Sequence, residues 1–220
     1  MTSSLSSTSA KLWESIRSAQ ALGFDFDGTL VDSNAIKRGA FDICFSEFPE
    51  HHKAIQEYCS RFNHTPRWEK FQHVVETLLK QSYTEERAKE LHRRYEEATT
   101  KQVIAAPEIP GAMAFLAALP AGPKVLLSST PDAILRDILN ARRMTSIFNT
   151  IQGAPVSKST WLTHYQTTHQ LDKARLLFFG DTLEDASAAK GAGWPFVAVA
   201  NPQIREGAEF YLEDYRNLGI

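Results

Sequence analysis

Asp25 and Asp27 stand two residues apart at the end of an apolar run, in the stretch Phe24-Asp25-Phe26-Asp27-Gly28-Thr29-Leu30. On an extended chain, residues at this spacing project to the same side, so both carboxylates face one place. Two ionised carboxylates about 4 Å apart repel by ~4 kcal/mol at an effective dielectric of about 20. A cation, or protonation of one partner, therefore has to accompany the pair. Gly28 permits a sharp exit turn, and Thr29 adds a hydroxyl where backbone donors gather. A second acidic group lies in Phe178-Phe179-Gly180-Asp181-Thr182-Leu183-Glu184-Asp185. Asp181 follows another apolar run, and Asp185 falls one helical turn later on the same face. Ser128-Ser129-Thr130 closes a third apolar run with hydroxyls, and Lys158 stands in a loop before the helical run Thr160–His169. Acids, hydroxyls and a lysine at successive strand ends suit a phosphate group and a hard divalent cation.

These residues need elements to position them. The short apolar runs Ala21–Phe26, Lys124–Ser128, Arg175–Phe179 and Phe196–Ala200 read as buried strands, with a weaker one at Phe148–Gln152. Near-continuous apolar strands imply a parallel sheet covered on both faces. Helical spacing follows the first three, as in Ala133, Ile134, Ile138 and Leu139, where Asp132 is the expected N-cap unless Pro131 moves the boundary back. The expected fold is α/β, a doubly wound parallel sheet of Rossmann-like type, which binds ligands at the carboxyl ends of its strands.

From Ile36 to Ala106 the alternation stops. Ile36–Phe48, Ala54–Phe62, Trp68–Lys80 and Glu85–Lys101 all carry helical spacing, and Pro107, Pro110 and Gly111 mark the return. The expected organisation is a core of 1–35 and 107–220, with a helical subdomain, 36–106, inserted after the first strand. Within the insertion, Thr65 is placed to cap a helix starting at Pro66, putting Arg67 and Lys70 in its first turns. Cations there oppose the helix dipole, which points to a bound anion or an acidic neighbour. Arg67 and Lys70 are thus candidate substrate contacts, against the plainer reading of an exposed helix start.

Bulk properties exclude some functions. A formal net charge of -2 offers no general attraction to nucleic acid or an anionic membrane, and no apolar run approaches the ~20 residues that span a bilayer. The two cysteines, Cys44 and Cys59, cannot form a disulfide framework and read as reduced thiols of a cytoplasmic protein. The opening MTSSLSSTS lacks the basic and apolar regions of a secretory signal. Residues 1–10 read as a disordered tail, with a faint likeness to an organelle transit peptide.

Asp25–Leu30 resembles the D-x-D-G-T-L signature of the haloacid dehalogenase superfamily, and Ser128, Lys158 and Gly180-Asp181-x-x-x-Asp185 resemble its other three motifs, in order. The likeness runs from about residue 21 to 200, and the helical block sits where many members insert a cap. The resemblance implies that Asp25 attacks phosphorus to form an aspartyl-phosphate and that Asp27 serves as acid, then base. It implies Mg²⁺ held by Asp25, the backbone carbonyl of Asp27, and Asp181, with Asp185 supporting directly or through water. Ser128 and Lys158 would engage the phosphoryl group, with Thr29, Ser129 and Thr130 beside it. Asp27 favours phosphatase or mutase chemistry, since the dehalogenases themselves lack an aspartate there. A looser likeness, carried by Ile36-Lys37-Arg38-Gly39-Ala40-Phe41 and Ser128-Ser129-Thr130-Pro131, is to phosphoglycolate-phosphatase-like members. The expected protein is a monomeric or homodimeric phosphatase acting on a small phosphate ester, a phosphosugar or phosphoglycolate-like acid, with a cap that closes over the site. A mutase of the β-phosphoglucomutase type and a non-catalytic phospholigand-binding protein are the competing readings.

Overall fold

The computed structural model describes residues 7–62 and 65–218. Among them, six strands form one sheet: β1 Ala21–Phe24, β2 Lys124–Pro131, β3 Thr150–Ala154, β4 Leu176–Gly180, β5 Phe196–Val199 and β6 Phe210–Leu212. The spatial order is β3-β2-β1-β4-β5-β6, and every neighbouring pair is parallel. This is the doubly wound α/β sheet that the apolar runs predict. Parallel neighbours need crossover connections, and the order reverses at β1, where the chain builds outward first through β2 and β3 and then through β4, β5 and β6. A crevice opens at such a reversal, beyond the carboxyl ends of the strands.

The strands bury both faces. On one, Ala21, Val125, Leu127, Leu176 and Phe178 pack with Trp161 and Leu162 of α8 (Lys158–Thr168) and with Ala188, Ala189 and Ala192 of α9 (Leu183–Ala192). On the other, Phe24 stacks on Phe179 at 4.8 Å between ring centroids and meets Phe115 of α6 (Ala112–Ala118) edge-on at 6.4 Å. Trp13 of α1 (Ser7–Ser18) lies 5.8 Å from that same Phe115 ring. The period-two alternation of a strand sends neighbouring residues to opposite layers. Helix α7 (Asp132–Ala141) follows β2.

Two compact units emerge. One is the chain up to Asp32 together with the chain from Pro107 onward; the other is Ser33–Ala106. The second is all helical among its described residues: α2 Asn34–Cys44, α3 His52–Arg61, α4 Arg67–His73 continuing into a π-helical turn at Val74–Leu78, and α5 Glu85–Ala105. Its core gathers Phe41, Phe45, Phe71, Leu91 and Tyr95 with both cysteines. Thr84 caps α5 by accepting from the Arg87 backbone N–H at 3.2 Å.

Several boundaries differ from the sequence reading. Thr65 does not cap α4: Pro66, extended at ψ 142°, is the boundary residue, and no side chain caps it. Asp132 is inside α7 with Pro131 at its N-cap, the second of the two boundaries its sequence allows. In both cases proline's fixed φ makes it the point where extended chain turns helical. Helix α2 stops at Cys44, short of Phe48. Helix α1 begins at Ser7, inside the stretch read as a tail, while residues 1–6 lie outside the described residues. Helix α9 ends at Ala192, with Gly193 as its C-cap in the left-handed region at φ 77°. No helix among the described residues is long and apolar enough to cross a membrane.

Candidate active site

The acids gather where β1 and β4 run side by side. Phe24 is in register with Phe179, and the Asp25 backbone N–H donates to the Phe179 carbonyl at 2.8 Å. The pairing therefore carries Asp25 and Asp181 out of the sheet together. Beyond Asp25 the chain turns at once. Gly28 sits at φ 82°, in the left-handed region, and its N–H donates to the Val31 carbonyl at 2.7 Å, while Leu30 and Val31 both donate to the Phe26 carbonyl. A β-carbon would be strained at that φ. The turn brings Thr29 back over the strand end, where its hydroxyl lies 3.2 Å from both Asp25 Oδ2 and Asp181 Oδ1.

Asp185 arrives by a different device. Thr182 caps α9 in a capping box: its hydroxyl accepts from the Asp185 N–H at 3.1 Å, and Asp185 Oδ2 accepts from the Thr182 N–H at 3.1 Å and from its hydroxyl at 2.6 Å. Gly180 makes the close approach possible, since a β-carbon there would lie 2.4 Å from Asp185 Cβ. Asp185 is thereby fixed with Oδ1 turned to Lys158.

Lys158 is the first residue of α8, whose N-cap, Ser157, accepts from the Thr160 N–H. Its ammonium donates to Asp25 Oδ1 and to Asp185 Oδ1, each at 2.6 Å. All of these groups are buried: Lys158 is 6% exposed, Asp25 3%, Asp181 4% and Asp185 0%. Burial works against the ammonium, but Asp185, Asp25 and Glu184 outweigh it and hold the Lys158 pKa well above the usual range. Burial also pushes the Asp25 carboxyl well above the ordinary carboxylate value; Lys158 opposes that shift, and Asp185, Asp181 and Asp27 reinforce it. Negative charge thus exceeds what Lys158 alone balances.

Asp25, Asp181 and Asp185 each present a carboxylate oxygen, all within 4.8 Å of one another. An all-oxygen, anionic donor set with a charge surplus fits a hard divalent cation such as Mg²⁺. The Asp27 carboxylate lies outside this group. Its Oδ2 accepts from the Ser128 hydroxyl and the Thr130 hydroxyl, each at 3.2 Å, and the Ser128 hydroxyl accepts from the Thr130 N–H at 3.1 Å. Asp27 therefore faces the end of β2, and the ligand atom the resemblance assigns to it is its backbone carbonyl. Ser129 points elsewhere: it is exposed, with its hydroxyl 3.4 Å from Glu184 Oε2.

The structure brings together Asp25, Asp27, Thr29, Ser128, Thr130, Lys158, Asp181 and Asp185. Arg67 and Lys70 lie in the helical unit. Arg67 stands 4.6 Å above the Tyr95 ring and pairs with Glu96 at 3.4 Å, while Lys70 is 7% exposed with its ammonium 5.6 Å from the Phe41 ring. The acidic neighbour allowed for by the sequence reading is present for Arg67. Two supporting residues escape that reading. Asn201, just after β5, donates its side-chain N–H to the Asp181 carbonyl at 2.8 Å, and Tyr215 donates its hydroxyl to the Thr29 carbonyl at 3.1 Å. Asn201 had a signal, since it follows an apolar run as Asp25 and Asp181 do; Tyr215 had none.

No curated protein matches the chain by sequence. Among solved structures, a haloacid dehalogenase-like family hydrolase from Streptococcus pneumoniae superposes with a TM-score of 0.70 at 20% identity, covering 90% of this chain and 96% of its own. A predicted phosphoglycolate phosphatase from Haemophilus somnus gives 0.70 at 18% identity, over 91% and 96%. CbbY from Rhodobacter sphaeroides, solved in complex with phosphate, gives 0.68 at 18% identity, over 91% and 96%. At such identities the likeness is one of fold. The model of the haloacid dehalogenase-like hydrolase family, however, matches residues 23–199, from within β1 to the end of β5, and includes every acid of the site. The chain belongs to the haloacid dehalogenase-like hydrolases.

Proposed function

We propose that the chain is a Mg²⁺-dependent phosphatase that hydrolyses a small phosphate ester, a phosphosugar or a phosphoglycolate-like acid, through an aspartyl-phosphate on Asp25. One observation carries the reading: a buried lysine bridges two carboxylates with a third carboxylate oxygen within 4.8 Å of theirs, leaving a charge surplus suited to a divalent cation and a phosphate. Asp25, the Asp27 carbonyl and Asp181 would hold the cation. When bound, it supplies positive charge against the phosphate and the developing charge of transfer.

The chain's own residues divide the remaining work. An Asp25 carboxylate oxygen bonds to phosphorus as the ester P–O bond breaks, and the leaving oxygen takes a proton from Asp27. Asp27, now ionised, then takes a proton from water as the water oxygen attacks the same phosphorus. Cleavage of the Asp25–phosphorus bond frees phosphate and restores both acids. Ser128 and Thr130 hold the Asp27 carboxyl in one orientation, and with phosphate bound Ser128 would turn its one hydroxyl proton from Asp27 to a phosphoryl oxygen. Lys158 steadies Asp25 and offsets phosphate charge. Asp185 has Lys158 on one oxygen and Thr182 on the other, so it serves chiefly by aiming Lys158. Positioning and electrostatic stabilisation of this kind are what phosphoryl transfer chiefly requires. Two buried thiols and no disulfide suit a reducing cytoplasm.

The test is phosphate release from a panel of phosphorylated metabolites, with Mg²⁺ or with chelator, alongside Asp25→Asn. Turnover that requires Mg²⁺ and is lost in the variant is the expected result. Isomerised product without net phosphate would replace hydrolase with mutase. Ligand binding with no turnover of any ester would replace both with a binding protein.

A further inference from the structure

Tyr215 lies outside every recognised motif, yet its side chain is fully buried at 0% exposure. Its ring stacks on Phe115 at 4.8 Å, and its hydroxyl donates to the Thr29 carbonyl at 3.1 Å, across 186 residues of sequence. Thr29 is the residue whose hydroxyl contacts Asp25 and Asp181 together, at 3.2 Å each. The segment around Tyr215 is itself pinned. The Tyr215 N–H donates to the Pro110 carbonyl at 3.0 Å. Gly111, at φ 81°, lets the chain approach so closely that a β-carbon there would lie 2.9 Å from the Arg216 nitrogen. The Arg216 N–H donates to Asp214 Oδ1 at 2.8 Å, and its side chain pairs with the same carboxylate. A phenylalanine would make the same stack on Phe115; what the hydroxyl adds is the bond to Thr29.

We infer that Tyr215 is a positioning residue: by holding the Thr29 carbonyl, it fixes the Thr29 hydroxyl between Asp25 and Asp181 and so sets how well those two carboxylates hold a divalent cation. The inference rests on the phosphatase reading of the same site. Burial, reinforced by Asp181 and Asp25, raises the Tyr215 phenol well above its ordinary pKa, so the hydroxyl stays a donor. A phenol donor one bond removed from the acids orients them without adding charge. Groups behind metal ligands commonly matter to affinity when removed, by about 10–100-fold. Because Tyr215 acts through Thr29, the lower end applies.

The experiment uses Mn²⁺ as probe, with its binding to the full-length protein followed by electron paramagnetic resonance in the absence of substrate. Tyr215→Phe keeps the ring and its stack on Phe115 while removing the donor; its Mn²⁺ Kd should rise about tenfold. Thr29→Val should weaken binding too, and the double variant should be no weaker than Thr29→Val alone, because coupled groups do not add. Phe115→Leu serves as the packing control: it should lower thermal stability while leaving Mn²⁺ affinity unchanged. The inference is overturned by a wild-type Kd in Tyr215→Phe, by additive losses in the double variant, or by a matching affinity loss in Phe115→Leu. Should Tyr215→Phe fail to fold, a 3-fluoro derivative of the Tyr215 ring, which keeps the shape and strengthens the phenol as a donor, still decides: it must change the Mn²⁺ Kd of wild type and leave that of Thr29→Val as it was. Wild-type protein that binds no Mn²⁺ would sink the metal-dependent phosphatase reading along with this inference, whereas wild-type binding with an indifferent Tyr215→Phe removes only the inference.

Discussion

Lys158→Met isolates the electrostatics of the site, because methionine keeps most of the aliphatic reach and loses the ammonium. The lysine is 6% exposed and lies 2.6 Å from Asp25 and from Asp185, which are 3% and 0% exposed. Removing one partner of a buried pair costs about 3–5 kcal/mol, chiefly because the other charge stays buried without compensation. Here two carboxylates lose the same partner and still face Asp181, so the upper half of that range applies in metal-free protein. For a chain of this size about 1 kcal/mol moves Tm by roughly 2–4 °C, so the variant in chelator should melt roughly 8–20 °C below wild type.

Excess Mg²⁺ should narrow that gap, since a divalent cation at the same carboxylates offsets part of the charge left behind. Activity should not recover with it: a lost preorganised donor to a phosphoryl group lowers kcat by about 10²–10³. The assay is calorimetry of both proteins, with chelator and with Mg²⁺, paired with phosphate release. A variant that melts with wild type in chelator would refute the reasoning, because the lysine would then not be balancing buried acids. A gap that stays the same in Mg²⁺ would refute the shared role of the carboxylates.

Three further outcomes follow from local geometry. Gly180→Ala places a methyl 2.4 Å from Asp185 Cβ and 2.6 Å from Asp185 Cγ, where neither the strand nor the capped helix start yields. It should cost about 1–3 kcal/mol from overpacking and weaken Mg²⁺ activation, read by denaturant unfolding and Mg²⁺ titration of activity. Phe71 is fully buried among Phe41, Phe45 and Tyr95, with ring centroids 5.4, 6.1 and 6.0 Å away; Phe71→Ala should destabilise the helical unit by about 3–5 kcal/mol, as measured by urea unfolding. Burial raises the Cys44 thiol to about 12 and the Cys59 thiol to about 11, and reactivity belongs to the thiolate. Both should resist iodoacetamide in the native protein at neutral pH and react once it is unfolded, as read by mass spectrometry; prompt native labelling would contradict their burial.

The acids and the strands that carry them were legible for one reason: they are local. Asp25, Ser128 and Asp181 each end a short apolar run, and an apolar run four or five residues long is itself the signature of a buried parallel strand. The rest was hidden for equally physical reasons. Strand β6 is three residues long, and two of them, Phe210 and Tyr211, are only partly buried, so there is too little periodicity to read. Helix α1 buries Leu12 and Ile16, one helical turn apart, behind a Ser/Thr-rich start of weak helix propensity. Only packing against the sheet's outer layer stabilises such a helix, and packing is not written in the segment itself. The continuation of α4 as a π-turn at Val74–Leu78 left no trace in a hydrophobic pattern that also fits an ordinary helix. Tyr215 belongs to the same class, since its value to the site lies wholly in a contact made across the fold.

The wide scatter of the site residues in sequence has its own explanation in the sheet order. Strand β1 is central, with β2 on one side and β4 on the other. The registers Phe24↔Leu126 and Phe24↔Phe179 put the ends of all three strands side by side. Hydroxyls after β2, Asp25 after β1 and Asp181 after β4 must therefore meet, even though Thr29 and Asp181 are 152 residues apart. Lys158 joins from the connection between β3 and β4, and Asp185 from the first turn of α9. Each group hangs from a backbone already fixed by strand pairing or by a capped helix start, so the order of the site comes with the folding of the core rather than with ligand. That is the economical route to preorganisation, which the proposed phosphoryl transfer would need alongside its nucleophile. It also explains why the motifs stay short and far apart: each has to specify only the residue at a strand end, because the sheet supplies the distances between them.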